Sequence, residues 1–195
     1  MTETIYLLRT ADAAHQSRGG FQWPSEPGAV VEAPDWDPAP ECGHGLHGYP
    51  RGEGRGHQLR TADDAVWQVI EAEAAAVVRI PDDEDGKAKV PRCTLVYAGD
   101  RETAIRLVHE RHPDAAVWRA RVMTGDHGRC ISGYFGRSRS GASGRSTSGA
   151  HGRSTSGAWG TSISGRDGRS TSGVGGRSTS GAHGTSTSGA WGTSI

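Results

Sequence analysis

The chain has 195 residues with 22 basic and 22 acidic side chains, so its formal charge is zero. No apolar stretch approaches the roughly 18 residues that a membrane-crossing helix requires, so no membrane span is expected. Its three cysteines, Cys42, Cys93 and Cys130, are odd in number and lack framework spacing, which argues against a disulfide-stapled secreted module and for reduced thiols.

The zero charge conceals a division. Residues 1–119 hold 20 of the 22 acidic side chains and 13 of the 22 basic ones, an excess of seven negative charges. Residues 120–195 hold nine arginines against two aspartates, an excess of seven positive charges. An acidic globular part thus precedes a basic tail, an asymmetry that points to an anionic partner or to attraction between the halves.

In chain order, "MTETIYLLRT" has no basic leader and no long apolar run, so no secretion signal is read there and a cytoplasmic location is expected. "TIYLLRT" predicts a strand. "PGAVVEAPDW" predicts a turn, a strand and an exit at Pro34. "TADDAVW" predicts a short helix opening at Thr61, with acids in its first turn. In "QVIEAEAAAVVRI" the β-branched ends and Pro81 favour two short strands. "PDDEDGK" reads as an acidic hairpin loop and "KVPRCTLVYAG" as one strand. "DRETAIRLVHERH" is a helix capped by Asp100, with Ala104, Ile105 and Val108 on one side. These elements make an α+β domain over 1–119, long enough to bury its own core.

Between the first two strands and just beyond lies "GGFQWPSEPGAVVEAPDWDPAPECGHGLHGYPRGEG". Cys42, His44 and His47, with His57 beyond, are the residues there that could supply zinc ligands. Their C-x-H-x-x-H spacing is not a standard structural pattern and no second cysteine pair accompanies it, so no metal is assigned. The alternative is a structural turn, with Gly43, Gly45 and Gly48 at positive φ and Leu46 in the core. His47 is also the candidate general base for any chemistry, near Asp35, Asp37 or Glu41. No phosphate loop or G-x-S-x-G elbow appears, and Trp23 and Trp36 read as core or rim aromatics. The motifs F-x-W-P, P-D-W-D-P and C-G-x-G-L-H-G resemble an uncharacterised bacterial and phage domain family. That resemblance implies a compact α+β domain, followed in several members by octad arrays.

From Gly128 the chain repeats every eight residues: GRCISGYF, GRSRSGAS, GRSTSGAH, GRSTSGAW, GTSISGRD, GRSTSGVG, GRSTSGAH, GTSTSGAW and a broken GTSI. The looser ARVMTGDH (120–127) precedes them. A longer period of 32 residues overlies the octads. A flexible Gly/Ser linker does not hold register for over sixty residues, nor place threonine or isoleucine regularly at the fourth position. Glycine holds the first and sixth places, where tight corners are expected. With strand alternation, the second and fourth places face out and the third and fifth, mostly serine, face in. Two octads then make a flat coil of sixteen residues, and coils stack about 4.8 Å apart. Interior serines fit if each hydroxyl is hydrogen-bonded.

Stacking puts every second octad on one face. One face is expected to carry Arg121, Arg137, Arg153, Arg169 and Thr185 beside Met123, Arg139, Thr155, Thr171 and Thr187. The other carries Arg129, Arg145, Thr161, Arg177 and Thr193 beside Ile131, Thr147, Ile163, Thr179 and Ile195. Trp159 and Trp191 share one corner, His151 and His183 the other. With only Asp126 and Asp167 in the array, a calcium-binding roll is excluded.

The octad G-x-S-x-S-G-A-[HW] and its pairing into sixteens resemble the repeats of bacterial ice nucleation proteins. That resemblance implies a β-solenoid whose outward Thr-x-Thr ladders order water, with arginine-bearing coils taking part in assembly. Thr185-Ser186-Thr187 is the one full Thr-x-Thr; Thr161-Ser162-Ile163 and Thr193-Ser194-Ile195 are partial.

The chain therefore reads as an α+β domain (1–119) followed by an all-β solenoid of octapeptide repeats (120–195), two octads per coil. The function this supports is non-enzymatic: a binding or assembly surface, most concretely for ice or ordered water, with self-association through the solenoid and no cofactor. Two alternatives stand: an enzyme or effector working around His47, and an arginine ladder that binds an anionic polymer. The array breaks off mid-octad at Ile195, as expected of a fragment or of an array completed by a mate. Surface or virion association is compatible with this reading.

Overall fold

A computed structural model describes residues 2–81 and 85–195. Residues 82–84 of the acidic hairpin loop expected over 81–87 lie outside the described residues. The chain divides into two compact units, Met1–His112 and Pro113–Ile195.

The first unit contains β1 (Thr4–Ala11), β2 (Val30–Glu32), β3 (Leu46–Pro50), β4 (Val66–Glu73), β5 (Val78–Arg79), β6 (Ala88–Val90), β7 (Arg92–Gly99) and α1 (Arg101–Arg111). The strands form one antiparallel sheet in the order β2-β7-β4-β1-β3-β6-β5. Its spine is β1 against β4, paired without a break from Thr4↔Glu73 to Ala11↔Val66. Leu7 and Leu8 point to opposite faces, and both are fully buried, so both faces of the spine are covered. Leu7 joins Trp23, Leu46, Ile70, Val90 and Leu95 in the main core. Helix α1 packs on β1, β4 and β7 and buries Ala104, Ile105 and Val108. Asp100 caps it, accepting the Thr103 N–H at 2.9 Å. That bond, with the Tyr97 hydroxyl, holds the Asp100 carboxyl down to about 2.

Two local expectations fail. No helix opens at Thr61; residues 61–65 are turn and extended chain. Five residues cannot repay helix nucleation, and Val66 and Trp67 are drawn into β4 opposite Ala11 and Thr10. The single strand expected at "KVPRCTLVYAG" is two, divided at Pro91, which lacks the N–H to continue a ladder. β6 pairs with β3 and β5, whereas β7 pairs with β2 and β4. Among the described residues no helix is long and apolar enough to cross a membrane.

The second unit is a parallel β-solenoid. Strands β8 (Arg121–Met123), β10 (Arg137–Ser140), β12 (Arg153–Ser156), β14 (Arg169–Ser172) and β16 (Thr185–Ser188) make one five-stranded sheet. Strands β9 (Arg129–Ser132), β11 (Arg145–Ser148), β13 (Thr161–Ser164), β15 (Arg177–Ser180) and β17 (Thr193–Ser194) make the other. Every pairing is in register at a sixteen-residue offset, such as Arg137↔Arg153 and Ser146↔Ser162. The corner geometry starts before the first octad. Ala120 N–H bonds Val117 C=O, and Arg119 takes positive φ as the eighth-place residues do.

The corners correct the expected role of glycine. Each closes with a bond from the first-place glycine N–H to the sixth-place glycine C=O, as in Gly152 to Gly149 at 3.1 Å. The residue in the left-handed region is the eighth, the third residue of a turn with the type II signature. It is Phe135, Ser143, His151, Trp159, Asp167, His183 or Trp191, with φ between 54° and 60°. The first- and sixth-place glycines are needed for contact instead. A Cβ on Gly157 would lie 2.8 Å from the Ala142 N of the neighbouring coil, and one on Gly152 would lie 2.7 Å from Ser148 Cβ. A single eighth-place glycine, Gly175, lies under the Trp159 ring, which a Cβ there would meet at 2.5 Å.

Inward serines fill the thin interior, with Cys130 taking one such place. The expectation that each hydroxyl be satisfied holds only in part. Ser146 Oγ–H donates to Ser138 Oγ at 2.9 Å, and Ser138 donates to Thr147 C=O at 2.8 Å. The hydroxyls of Ser132, Ser140, Ser148, Ser154, Ser156, Ser162 and Ser164 meet no partner. The fifth-place serines among them lie against the first-place glycines, such as Ser148 beside Gly152.

Gly157→Ala should therefore destabilise the solenoid by about 1–3 kcal/mol through overpacking. Ser143→Gly, which relieves a left-handed side chain, should be neutral or stabilising by up to about 1 kcal/mol. Thermal unfolding followed by circular dichroism reads both, and equal losses would contradict the assignment of contact to one place and conformation to the other.

Candidate functional site

The most regular surface is the pair of solenoid faces. In-register pairing turns single residues into straight columns. One sheet aligns Arg121, Arg137, Arg153, Arg169 and Thr185, with Met123, Arg139, Thr155, Thr171 and Thr187 beside them. The other aligns Arg129, Arg145, Thr161, Arg177 and Thr193, with Ile131, Thr147, Ile163 and Thr179 beside them. The second-place arginines are exposed; Thr155, Thr147, Thr161 and Thr179 are half-buried between their neighbours.

Guanidinium groups keep their proton. Neighbours about 4.8 Å apart repel by about 1 kcal/mol per pair in water-like surroundings. Among the described residues, no ladder arginine makes an ion pair; the one such contact of an array arginine is at a corner, Arg166 to Asp167 at 3.1 Å. Solvent and salt, not a fixed carboxylate, face these charges.

The corners carry the aromatic groups. Phe135 stacks on His151 with centroids 5.1 Å apart, and His151 lies 3.9 Å from Asp167. Trp159 and Trp191 are 68% and 89% exposed on the other corner. The sequence places both sets correctly but gives no sign of the Phe135–His151 stack.

The first unit holds a cleft of about 610 Å³. Its wall includes Arg9, Phe21, Trp23, Asp35, Cys42, His44, His47, Gln58 and Lys87. Gly43 and Gly45 take positive φ, as does His44 at 49°. Gly48 does not: it lies inside β3, where a Cβ would sit 3.0 Å from Leu7 Cβ, so it is required by close packing. Leu46 is buried in the core.

The candidate residues take different roles. His47 Nε2 accepts the Gly43 N–H at 3.4 Å, and its ring is also bonded to the Gly45 backbone. Burial, then the charges of Lys87, Lys89 and Arg9, push the His47 imidazole down to about 4. His44 turns outward to Asp35, with Nδ1 3.5 Å from Oδ2. Cys42 Sγ receives the Lys87 ammonium at 3.1 Å, which also donates to Gln58 Oε1 at 2.9 Å. Among the described residues, no three His, Cys, Asp or Glu side chains converge as metal ligands would. Sequence reasoning missed Arg9, Lys87 and Lys89, all buried. Their signal was a cation at a core-facing place in "YLLRTA" and two lysines flanking buried Ala88.

With this geometry in hand, comparison with known proteins is informative for the repeats. The chain is 31% identical over 110 residues to an ice nucleation protein of Pseudomonas syringae, covering 56% of this chain and 9% of that protein. It is 30% identical over 113 residues to one from Xanthomonas campestris pv. translucens, covering 58% of this chain and 7% of that one. It is 28% identical over 112 residues to ice nucleation protein InaU of Pantoea ananas, covering 57% and 10% respectively. The chain thus spans a tenth or less of the length of these curated relatives. No family model and no solved structure matches significantly. The likeness and the sixteen-residue coils agree: this is an ice-nucleation-like repeat protein with a β-solenoid.

Because His47 is held neutral, its proton uptake should oppose folding. The unfolded imidazole titrates near 6.5 and the folded one near 4. Stability of the first unit should be full above about 6.5 and fall as pH drops towards 4, with His109, also lowered by burial, adding in the same direction. Asp100 enters only below its ordinary 3.8. A nuclear magnetic resonance titration should find the His47 midpoint near 4, and His47→Gln should flatten the acid loss. A midpoint near 6.5 would refute the buried, backbone-braced placement.

Proposed function

We propose that the solenoid is the working part of the protein, a non-enzymatic surface that orders water and assembles with like surfaces. The observation that carries this reading is the unbroken in-register pairing of strands at sixteen residues. It converts Thr155, Thr171 and Thr187 into one column with a step of about 4.8 Å, and Thr147, Ile163 and Thr179 into another. Flat columns of hydroxyl and methyl groups suit a template for ordered water. The names of the curated relatives support the same assignment.

A second reading rests on a separate observation. The arginine columns lack counter-charges among the described residues, so they suit an anionic polymer such as nucleic acid or an acidic glycan. The imidazole of His47 is occupied by its own loop, which disfavours the enzyme alternative. Assembly and polyanion binding would use the same columns, the first through an acidic surface on another chain.

Arg153→Thr with Arg169→Thr separates these readings. The change sets threonine beside Thr155 and Thr171 and continues the Thr185/Thr187 pair over three coils. Droplet freezing should then begin at a higher temperature than for the unaltered chain. Binding to heparin, if it occurs, should weaken at least tenfold and lose part of its salt dependence, as fewer counterions are released. Unchanged freezing together with unchanged heparin binding would show that neither column is the working surface.

A further inference from the structure

The first unit buries two cations, Arg9 and Lys89, that no carboxylate among the described residues pairs with. Arg9 is only 6% exposed, and its guanidinium sits 3.5 Å over the Trp23 ring. Its Nη2–H donates to Thr10 C=O at 3.3 Å, while Nε meets no partner. Lys89 is 1% exposed and donates to the Gly43 carbonyl at 3.0 Å. Neither Arg9 nor Lys89 makes an ion pair among the described residues.

Buried charge is costly unless paired, and removing a partner from a buried pair is costly in the same way. Burial pushes the Arg9 guanidinium down to about 9. Among the described residues, the acidic groups nearby are already used or neutral. Asp85 accepts the Tyr49 hydroxyl and the backbone N–H groups of His57 and Gln58. Asp35 faces His44 at the rim. The Cys93 thiol is pushed up to about 12 by burial and stays protonated.

We propose that the cleft of the first unit binds the oxyanion group of a small organic molecule, a phosphate or a carboxylate, with Arg9 as its principal contact. Arg9 lines the cleft beside Trp23, and Lys89 backs the Gly43 loop. Lys87 adds a third positive charge on the same side. Guanidinium suits this role because its planar fork matches two oxygens of either group. Phe21 and Trp23, in edge contact at 5.6 Å, give an apolar wall for the body of the ligand. A volume of about 610 Å³ lies within the range of sites for small organic molecules.

The test uses the full chain and four probes: inorganic phosphate, phenyl phosphate, acetate and benzoate. Calorimetric titration should show saturable binding of phenyl phosphate or benzoate, at least tenfold tighter than of the matching small anion. The arm that binds identifies the group. Arg9→Gln should weaken binding at least tenfold and Arg9→Lys by less, with folding of each verified by circular dichroism. Lys87→Gln should weaken it several-fold. Arg60→Gln, on the surface, and Arg153→Thr with Arg169→Thr, on the solenoid, should leave it unchanged. The His47 resonance should titrate at higher pH in the presence of the bound probe. Should Arg9→Gln fail to fold, this shift and the Lys87→Gln loss still decide. Absence of saturable binding by all four probes would overturn the proposal, as would binding that persists in folded Arg9→Gln.

Discussion

The backbone hydrogen bonds between coils are the constraint on which the second unit depends. They run between residues fifteen to seventeen apart, such as His151 N–H to Arg166 C=O at 2.8 Å and Arg153 N–H to Gly136 C=O at 2.9 Å. Such bonds form continuously only if adjacent backbones approach without side chains between them at the corners. Glycine at the first and sixth places supplies that approach, because a Cβ there collides with a neighbouring backbone or serine. Serine inside follows from the same closeness. The thin interior is filled mostly by hydroxymethyl groups, with Val122 and Cys130 taking inward places at its start.

The outward places are freed by this arrangement. Stability rests on the backbone and on small inward groups, so the second and fourth residues can vary between arginine, threonine, isoleucine and methionine without breaking register. What varies is the surface written on an unvarying rod. Arginine in a column repels its neighbours, and about 1 kcal/mol per pair is tolerable only with solvent or salt between them. Threonine in the same place makes a less hydrated, flatter surface. The array mixes both, and under the proposed function the balance between them sets whether water or an anion is the better ligand.

The solenoid was legible because its signal is periodic. An octad carries its own alternation, and repetition fixes which residues stack. The glycines were read correctly in position but not in cause, since a contact between coils is a property of three-dimensional proximity. In the first unit, β1, β2, α1 and its Asp100 cap were visible from apolar alternation and capping chemistry. The turn at "TADDA" was not, because pairing with β1 overrides a weak local helix preference. The cleft was legible only at its glycine-rich rim. Arg9, Lys87 and Lys89 stand roughly thirty to fifty positions from the Cys42–Gly48 rim in sequence, and a buried cation has no local signature beyond a charge in an apolar strand.

The same residue type thus meets anions by opposite physics in the two units. Arg153 and its column are bathed in solvent, so their attraction to an anion is long-ranged, weak per contact and erased by salt. Arg9 is desolvated before any ligand arrives, and the cost of that burial is already borne by the fold. An oxyanion reaching it gains a charge-assisted bond in low dielectric, where salt screens little and geometry decides. A column of exposed charges selects for length and charge density. A single buried guanidinium against Trp23 selects for shape. On these two proposals, the chain carries two surfaces that discriminate among anions on different grounds, one set by repetition and one by enclosure.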